Sequence, residues 1–292
     1  MIERKPKFSG HQTFVFRFGW LEKGYKFLLE NRNFNDEGAI VDLGVGKNMV
    51  GSIKYWCELT GIIKDNKITE FGNLLLDEQT GWDPYLEDNA SLWLLHWKLI
   101  TNPDYWHSGS VLFSHLHKPE FSKNDVFEAI DRVFDSENTK RYSQNIILRD
   151  IDCFIRLYAG LRHNDNKNKE DAFGSPLQEL NMIQVMRDSE LFRFNIGPKT
   201  SLPSEVIGYA IWEYMRYTGK VSIRINEILY HEYSPGQVFM LDENSLIEAV
   251  ENLSSNSLWT PYFSFTESSG IALIYCSLQD GNDLLQAYYK RG

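Results

Sequence analysis

The spacing of apolar and polar positions predicts helices at the start of the chain. Phe18, Leu21, Tyr25 and Leu28 recur at intervals of three and four, with Glu22, Lys23 and Lys26 off that stripe, so a helix is expected over about 17–30. Asn31 and Asn33 break the pattern. A short helix over 36–43 comes next, then a tight turn at Gly44 and Gly46. A third helix is expected over 47–59. Val50, Ile53 and Cys57 form its core stripe, and Lys47, Gly51, Lys54 and Glu58 share the opposite face. Gly61 ends it, and 62–68 reads as two short strands around a turn at Asp65-Asn66. Three helices and a small hairpin, in that order, are the order of a winged helix-turn-helix, whose third helix reads DNA.

Beyond residue 80 the pattern changes. Leu92 to Ile100 is apolar almost all round, which predicts a buried helix. Ser122 is a natural cap for a helix carrying Val126, Phe127, Ile130, Val133 and Phe134. Another helix is expected over 143–158, and the polar run 164–170 reads as a loop or hinge. Helices are then expected over 204–217, 222–230 and 245–253. A hairpin is expected from strands 262–265 and 271–276. The expected fold is α+β and mainly α, with three domains. These are an N-terminal winged helix over 1–80, a helical middle over 81–200 and a C-terminal winged-helix-like unit over 201–292.

Composition narrows the class. At 42% apolar residues a packed core is expected rather than disorder, and no run of 18 or more apolar residues suggests a membrane span. The opening MIERKPKFSG lacks the apolar stretch of a secretory signal, and Cys57, Cys153 and Cys276 are widely spaced, which fits a cytoplasmic protein. Forty acids against thirty bases give a net charge of −10, which argues against indiscriminate coating of nucleic acid. Within residues 1–54, however, nine bases face six acids. A basic head on an acidic body can still hold a phosphate backbone locally. Over 221–258, one base faces six acids, so that part should repel phosphate and contact protein.

Candidate chemistry follows from the same strings. Leu43-Gly-Val-Gly-Lys47 lacks the remaining glycine and the Ser or Thr of a Walker loop, because Val41 and Asn48 stand there. Met49 replaces the third glycine of a dinucleotide loop, so no nucleotide is expected. Two glycines opening a helix beside a lysine suit a DNA phosphate, or make a simple turn. The candidate DNA contacts are Ser9, His11, Thr13, Arg17, Lys23, Lys47, Asn48 and Lys54. Asp83, Glu87 and Asp88 group ahead of the apolar helix and can hold a divalent metal. Asp83 before Pro84 also fits a turn, and Asp88 an N-cap. His96 reads as a core histidine, and His107, His115 and His117 are too irregular for zinc. Asp65-Asn-Lys67 and Asp165-Asn-Lys167 sit in expected turns, and Asp150, Asp152 and Arg156 are expected to pair along one helix face.

Several of these strings also carry a family resemblance. They are Ser9-Gly-His-Gln-Thr-Phe14 with Arg17 and Gly19-Trp-Leu-Glu-Lys-Gly24, and Leu43-Gly-Val-Gly-Lys-Asn-Met-Val50 with Tyr55-Trp56. Asp83-Pro-Tyr-Leu-Glu-Asp88 with Leu92-Trp-Leu-Leu-His-Trp97, Ser175-Pro-Leu-x-Glu-Leu180 and Ser234-Pro-Gly-x-x-Phe239 complete the set. In order and over nearly the whole chain, they resemble the uncharacterised-domain family 4007. The resemblance implies a component of a bacterial DNA phosphorothioation system, which replaces a non-bridging phosphate oxygen by sulfur on one strand as an antiphage marker. It implies a nickase on double-stranded DNA, using Mg²⁺ or Mn²⁺ if it is a metal-dependent nuclease. The implied partners are a cysteine desulfurase, an ATPase and an ATP-pyrophosphatase-like protein. A non-catalytic DNA adaptor and a homo-oligomer stay open. No nuclease motif carries over from the family.

Overall fold

Gly19 decides where the first helix begins. Its φ of 74° lies outside the helical region, so α1 spans Trp20–Leu29, later than the apolar spacing alone suggests. α2 is likewise shorter than expected, at Ala39–Leu43, and ends on left-handed Gly44. α3 spans Lys47–Leu59 as the pattern requires. Strands β2 (Ile63–Lys64) and β3 (Lys67–Ile68) pair antiparallel. Asp65 and Asn66 both take positive φ, the backbone of a type I′ hairpin turn. The earlier strand β1 (Lys5–Pro6) pairs in parallel with β4 (Tyr105–Trp106).

This computed structural model describes residues 4–137, 141–160, 174–187, 189–268 and 271–290. The polar run 164–170 and its Asp165-Asn-Lys167 triplet lie outside these. The chain divides into two units, Met1–Phe194 and Asn195–Gly292. The fold is α+β and mainly helical. Among the described residues, no helix is long and apolar enough to cross a membrane.

In the first unit, α4 (Glu70–Leu76) follows the hairpin, and α5 (Asn89–Ile100) is buried on nearly every side. Around it pack α6 (Ser108–Ser114) and a 3₁₀ turn, Pro176–Leu180. α8 (Gln144–Tyr158) packs on α6 and on α7 (Lys123–Glu137). The expected cap of α7 forms reciprocally: Asp125 accepts from Ser122 N and Oγ, and Asp125 N donates to Ser122 Oγ. His96 is buried, with its Nδ1 2.6 Å from Tyr158 Oη, as a core histidine should be. The middle of the chain also holds a small antiparallel sheet that the pattern does not predict. Its strands are β5 (Glu120–Phe121), β6 (Ile183–Val185) and β7 (Phe192–Phe194), in the order β5-β7-β6.

The second unit is built on α9 (Ser204–Thr218), against which α12 (Glu243–Ser255) and α13 (Asn282–Tyr289) pack. The helix expected over 222–230 is corrected. Its first three residues form strand β8 (Ser222–Arg224), and only Ile225–Tyr230 is helical, as α10. Alternation at Val221, Ile223 and Ile225 satisfies a strand, and the edge of β10 supplies the partner. α11 spans Pro235–Phe239. β9 (Phe263–Ser268) and β10 (Ile271–Cys276) form the expected hairpin, and the sheet order is β8-β10-β9.

Candidate nucleic-acid interface

The Ser9–Phe14 string folds into a tight clasp. Ser9, Gln12 and Thr13 all take positive φ, at 66°, 49° and 69°, an arrangement non-glycine residues hold only when other contacts enforce it. The enforcing contact is internal. His11 is fully buried, and its Nε2 lies 2.7 Å from Asp150 Oδ1. Thr13 N–H donates to His11 Nδ1 at 2.9 Å, so the ring proton sits on Nε2 and points at the carboxylate. Ser9 N and Ser108 N also donate to Asp150, at 2.8 and 3.3 Å. His11 therefore faces the core and not a phosphate. Asp150 does not join the expected ion pairs along α8. The pair that forms there is Asp152 with Arg156 (2.9 Å), and Asp152 also pairs with Lys123 of α7 (2.5 Å). No sequence signal links His11 to Asp150, which lies 139 positions away.

α3 presents a face on which several of the expected DNA contacts come together. Lys47, Asn48 and Gly51 are exposed and Lys54 is half-buried. Gly46, its N-cap, provides no side-chain cap. Glu58, the acid on this face, is held by Lys7 at 2.6 Å, which offsets its charge. Lys23 lies apart from the face: it donates to Leu43 O at the end of α2, at 3.2 Å. Arg32 ties α2 to the end of α1 through Asp42 and Glu30, both at 3.1 Å. The Arg17 guanidinium lies 5.8 Å from the Phe14 ring and 5.5 Å from the Trp20 ring. On the hairpin, Lys67 is exposed, while Lys64 pairs with Asp104 at 2.6 Å, which raises the pKa of Lys64.

The carboxylates do not converge. Asp83 is 8% exposed, and its oxygens accept from Glu87 N (3.0 Å), Asp88 N (2.9 Å) and Ser91 Oγ (2.6 Å). It braces the turn in which Leu86 takes a φ of 54°. Asp88 caps α5 by accepting from Ala90 N at 2.8 Å, and Glu87 points to solvent. Among the described residues, no three His, Cys, Asp or Glu side chains are grouped so as to hold a metal ion. The donor set needed for a Mg²⁺ or Mn²⁺ centre is therefore not formed by Asp83, Glu87 and Asp88.

A family model described as a protein of unknown function, DUF4007, matches residues 8–289. The chain belongs to the DUF4007 family. Two solved structures share the fold of this DUF4007 chain. A magnesium-ion-bound SspB crystal structure has a TM-score of 0.86 at 28% identity, with 97% of this chain and 88% of that chain covered. A second SspB crystal structure has a TM-score of 0.88 at 28% identity, covering 99% and 89%. No curated protein matches the sequence. The DUF4007 match contains both the clasp and the exposed face of α3.

Proposed function

We propose that this DUF4007 protein is the DNA-binding nickase component of a bacterial, cytoplasmic DNA phosphorothioation and antiphage system. It nicks duplex DNA so that sulfur can be incorporated on one strand. The observation that carries the DNA half is the exposed face of α3 with Lys47, Asn48 and Lys54, in a helix–helix–helix–hairpin order. In this reading residues 1–80 are a winged helix-turn-helix, α3 enters the major groove and the β2–β3 hairpin is the wing. Lys47 and the uncapped N-terminus of α3 meet one phosphate, and Lys54 meets another one face-turn on. The likeness to SspB supports the system-level half. In this reading the partners are a cysteine desulfurase, an ATPase and an ATP-pyrophosphatase-like protein. The magnesium ion in one SspB structure supports Mg²⁺ as the metal to test first, with Mn²⁺ beside it.

The test is a plasmid assay. Purified protein with Mg²⁺ or Mn²⁺ should convert supercoiled plasmid to open circles, and Lys47→Glu should abolish the conversion. A second reading, a non-catalytic adaptor that recruits the sulfur-transfer proteins, is favoured by one observation: the oxygens of Asp83 are engaged by the backbone of its own loop and by Ser91 of α5. Duplex binding without nicking across the metal series would select the adaptor.

A further inference from the structure

The unit Asn195–Gly292 is acidic, with six bases against eleven acids. One face of its sheet departs from that rule. Opposed residues of an antiparallel pair point the same way, and the face alternates along each strand. Ile274 opposes Ile223 and Phe265, and both isoleucines are buried, so that side is the core side. The outward side therefore holds Leu273 and Tyr275 of β10, Ser222 and Arg224 of β8, and Ser264 and Thr266 of β9. It carries a cation and no carboxylate.

Tyr275 stands on the central strand of this face. Its two cross-strand neighbours, Ser222 and Ser264, are too short to cover the ring, and Tyr275 is 41% exposed. Aromatics on central strands ordinarily gain their stability from large cross-strand partners. Beside Tyr275 a cavity of about 500 Å³ opens, lined also by Trp212, Arg216, Tyr262 and Lys220, the last of which is ion-paired with Glu227. The Arg216 guanidinium lies 5.1 Å from the Trp212 ring and is steadied by donating to Gln279 O at 3.1 Å. Tyr262 is 44% exposed.

We propose that this face binds single-stranded DNA. Unpaired bases stack on Tyr275 and Tyr262, and their phosphates lie against Arg224 and Arg216. A single strand offers the ring faces that a duplex hides in its own stack, and each base stacked on an aromatic side chain contributes roughly 1–3 kcal/mol. Charge complementarity is local, with Arg224 on the face, Arg216 at the cavity and most of the unit's acids elsewhere, so a short single-stranded segment fits and a long duplex is repelled. The inference rests on the nickase reading, because a nick frees a strand end that can leave the helix.

The full-length protein is titrated, by fluorescence anisotropy, against a short labelled oligothymidylate and against a blunt duplex. The wild type is expected to bind both. Tyr275→Ala should weaken oligothymidylate binding roughly tenfold and leave duplex binding unchanged, while Tyr275→Phe retains both. Arg224→Ser should make the log–log salt slope for the oligomer shallower by about 0.7, the share of one phosphate on a single strand. An oligomer carrying 5-iododeoxyuridine should photo-cross-link to Tyr275 or Tyr262. Oligomer binding that survives both Tyr275→Ala and Arg224→Ser, or that Lys47→Glu abolishes, overturns the proposal. So does a Tyr275→Ala protein that keeps the oligomer but loses the cysteine desulfurase, since the face would then dock protein. Duplex binding and nicking with no oligomer binding sinks this inference alone. Oligomer binding at Tyr275 with no duplex binding sinks the winged-helix reading alone.

Discussion

Asp150 shows how a fully buried carboxylate is held. Three donors converge on it, from His11 Nε2, Ser9 N and Ser108 N, and the first two belong to the clasp that they hold shut. His11→Ala removes one donor and leaves a void beside the carboxylate, so unfolding free energy should fall by about 3 kcal/mol in urea titrations. Folded His11→Ala protein should bind duplex as the wild type does. Lost affinity at unchanged stability would instead put His11 at the DNA. His107 behaves differently. It donates from Nε2 to Leu99 O at 3.1 Å and stacks on Phe154, 4.5 Å between ring centroids, and burial pushes its pKa down to about 4 from an ordinary 6.5. Between those two values the unfolded chain binds a proton that the folded chain refuses. Stability should therefore drop as pH falls from 6.5 to about 4 and gain no further loss from this group below that. The full window corresponds to roughly 3 kcal/mol. His107→Gln, less stable at neutral pH, should lose less between pH 7 and pH 4.5 than the wild type does. Equal losses in the two proteins would refute the assignment.

At the scale of elements, the seat of α3 depends on one glycine of α1. A Cβ on Gly24 would lie 2.5 Å from Cys57 Sγ and 3.1 Å from the Ile53 side chain. Ala is the better helix former by up to about 1 kcal/mol, but overpacking against two buried residues costs roughly 1–3 kcal/mol. Gly24→Ala should thus lower the urea midpoint, and a raised midpoint would show that α1 and α3 part easily. On the outer face of α3, Lys47→Ala and Lys54→Ala should each make the salt slope of duplex binding shallower by about 0.9. An unchanged slope in both would remove α3 from the interface. How legible each element was in the sequence follows from the range of its contacts. α3 was predicted end to end, since its stripe, opening glycine and closing glycine are all local. β5 was not, because it pairs Glu120 with Arg193, and strands of two or three residues leave no periodicity to read. β8 reads as helix in the sequence because its alternation lasts three residues before α10 begins. At the candidate site, the outward face of α3 with Lys47 and Lys54 could be read from helical spacing. The clasp could not, because its meaning depends on Asp150, and Asp83 showed only its residue type and not its inward turn.

At the scale of the molecule, the charge of −10 resolves into a basic head and an acidic body, and the acidic unit Asn195–Gly292 has a core of its own. Val206 and Ala210 of α9, Leu246 and Val250 of α12, Leu284 and Leu285 of α13, and Ile223 and Ile274 of the sheet are all buried. That is enough apolar surface for independent folding. Where the unit begins matters more than its size suggests. Lys199 Nζ donates to Asn195 O and Gly197 O, both at 2.7 Å, and to Met240 O at 3.1 Å. One ammonium thereby closes the entry segment onto the end of α11, and Gly197 N returns a bond to Met240 O at 2.9 Å. A fragment of residues 195–292 should unfold in a single cooperative urea transition, and one of residues 201–292 should lose all four bonds. After the gain in chain entropy is set against them, about 1–3 kcal/mol of stability should go with the entry segment. Lys199→Met in the longer fragment should reproduce most of that loss. If the shorter fragment is as stable as the longer one, the boundary belongs after residue 200 and the lysine clamp contributes nothing.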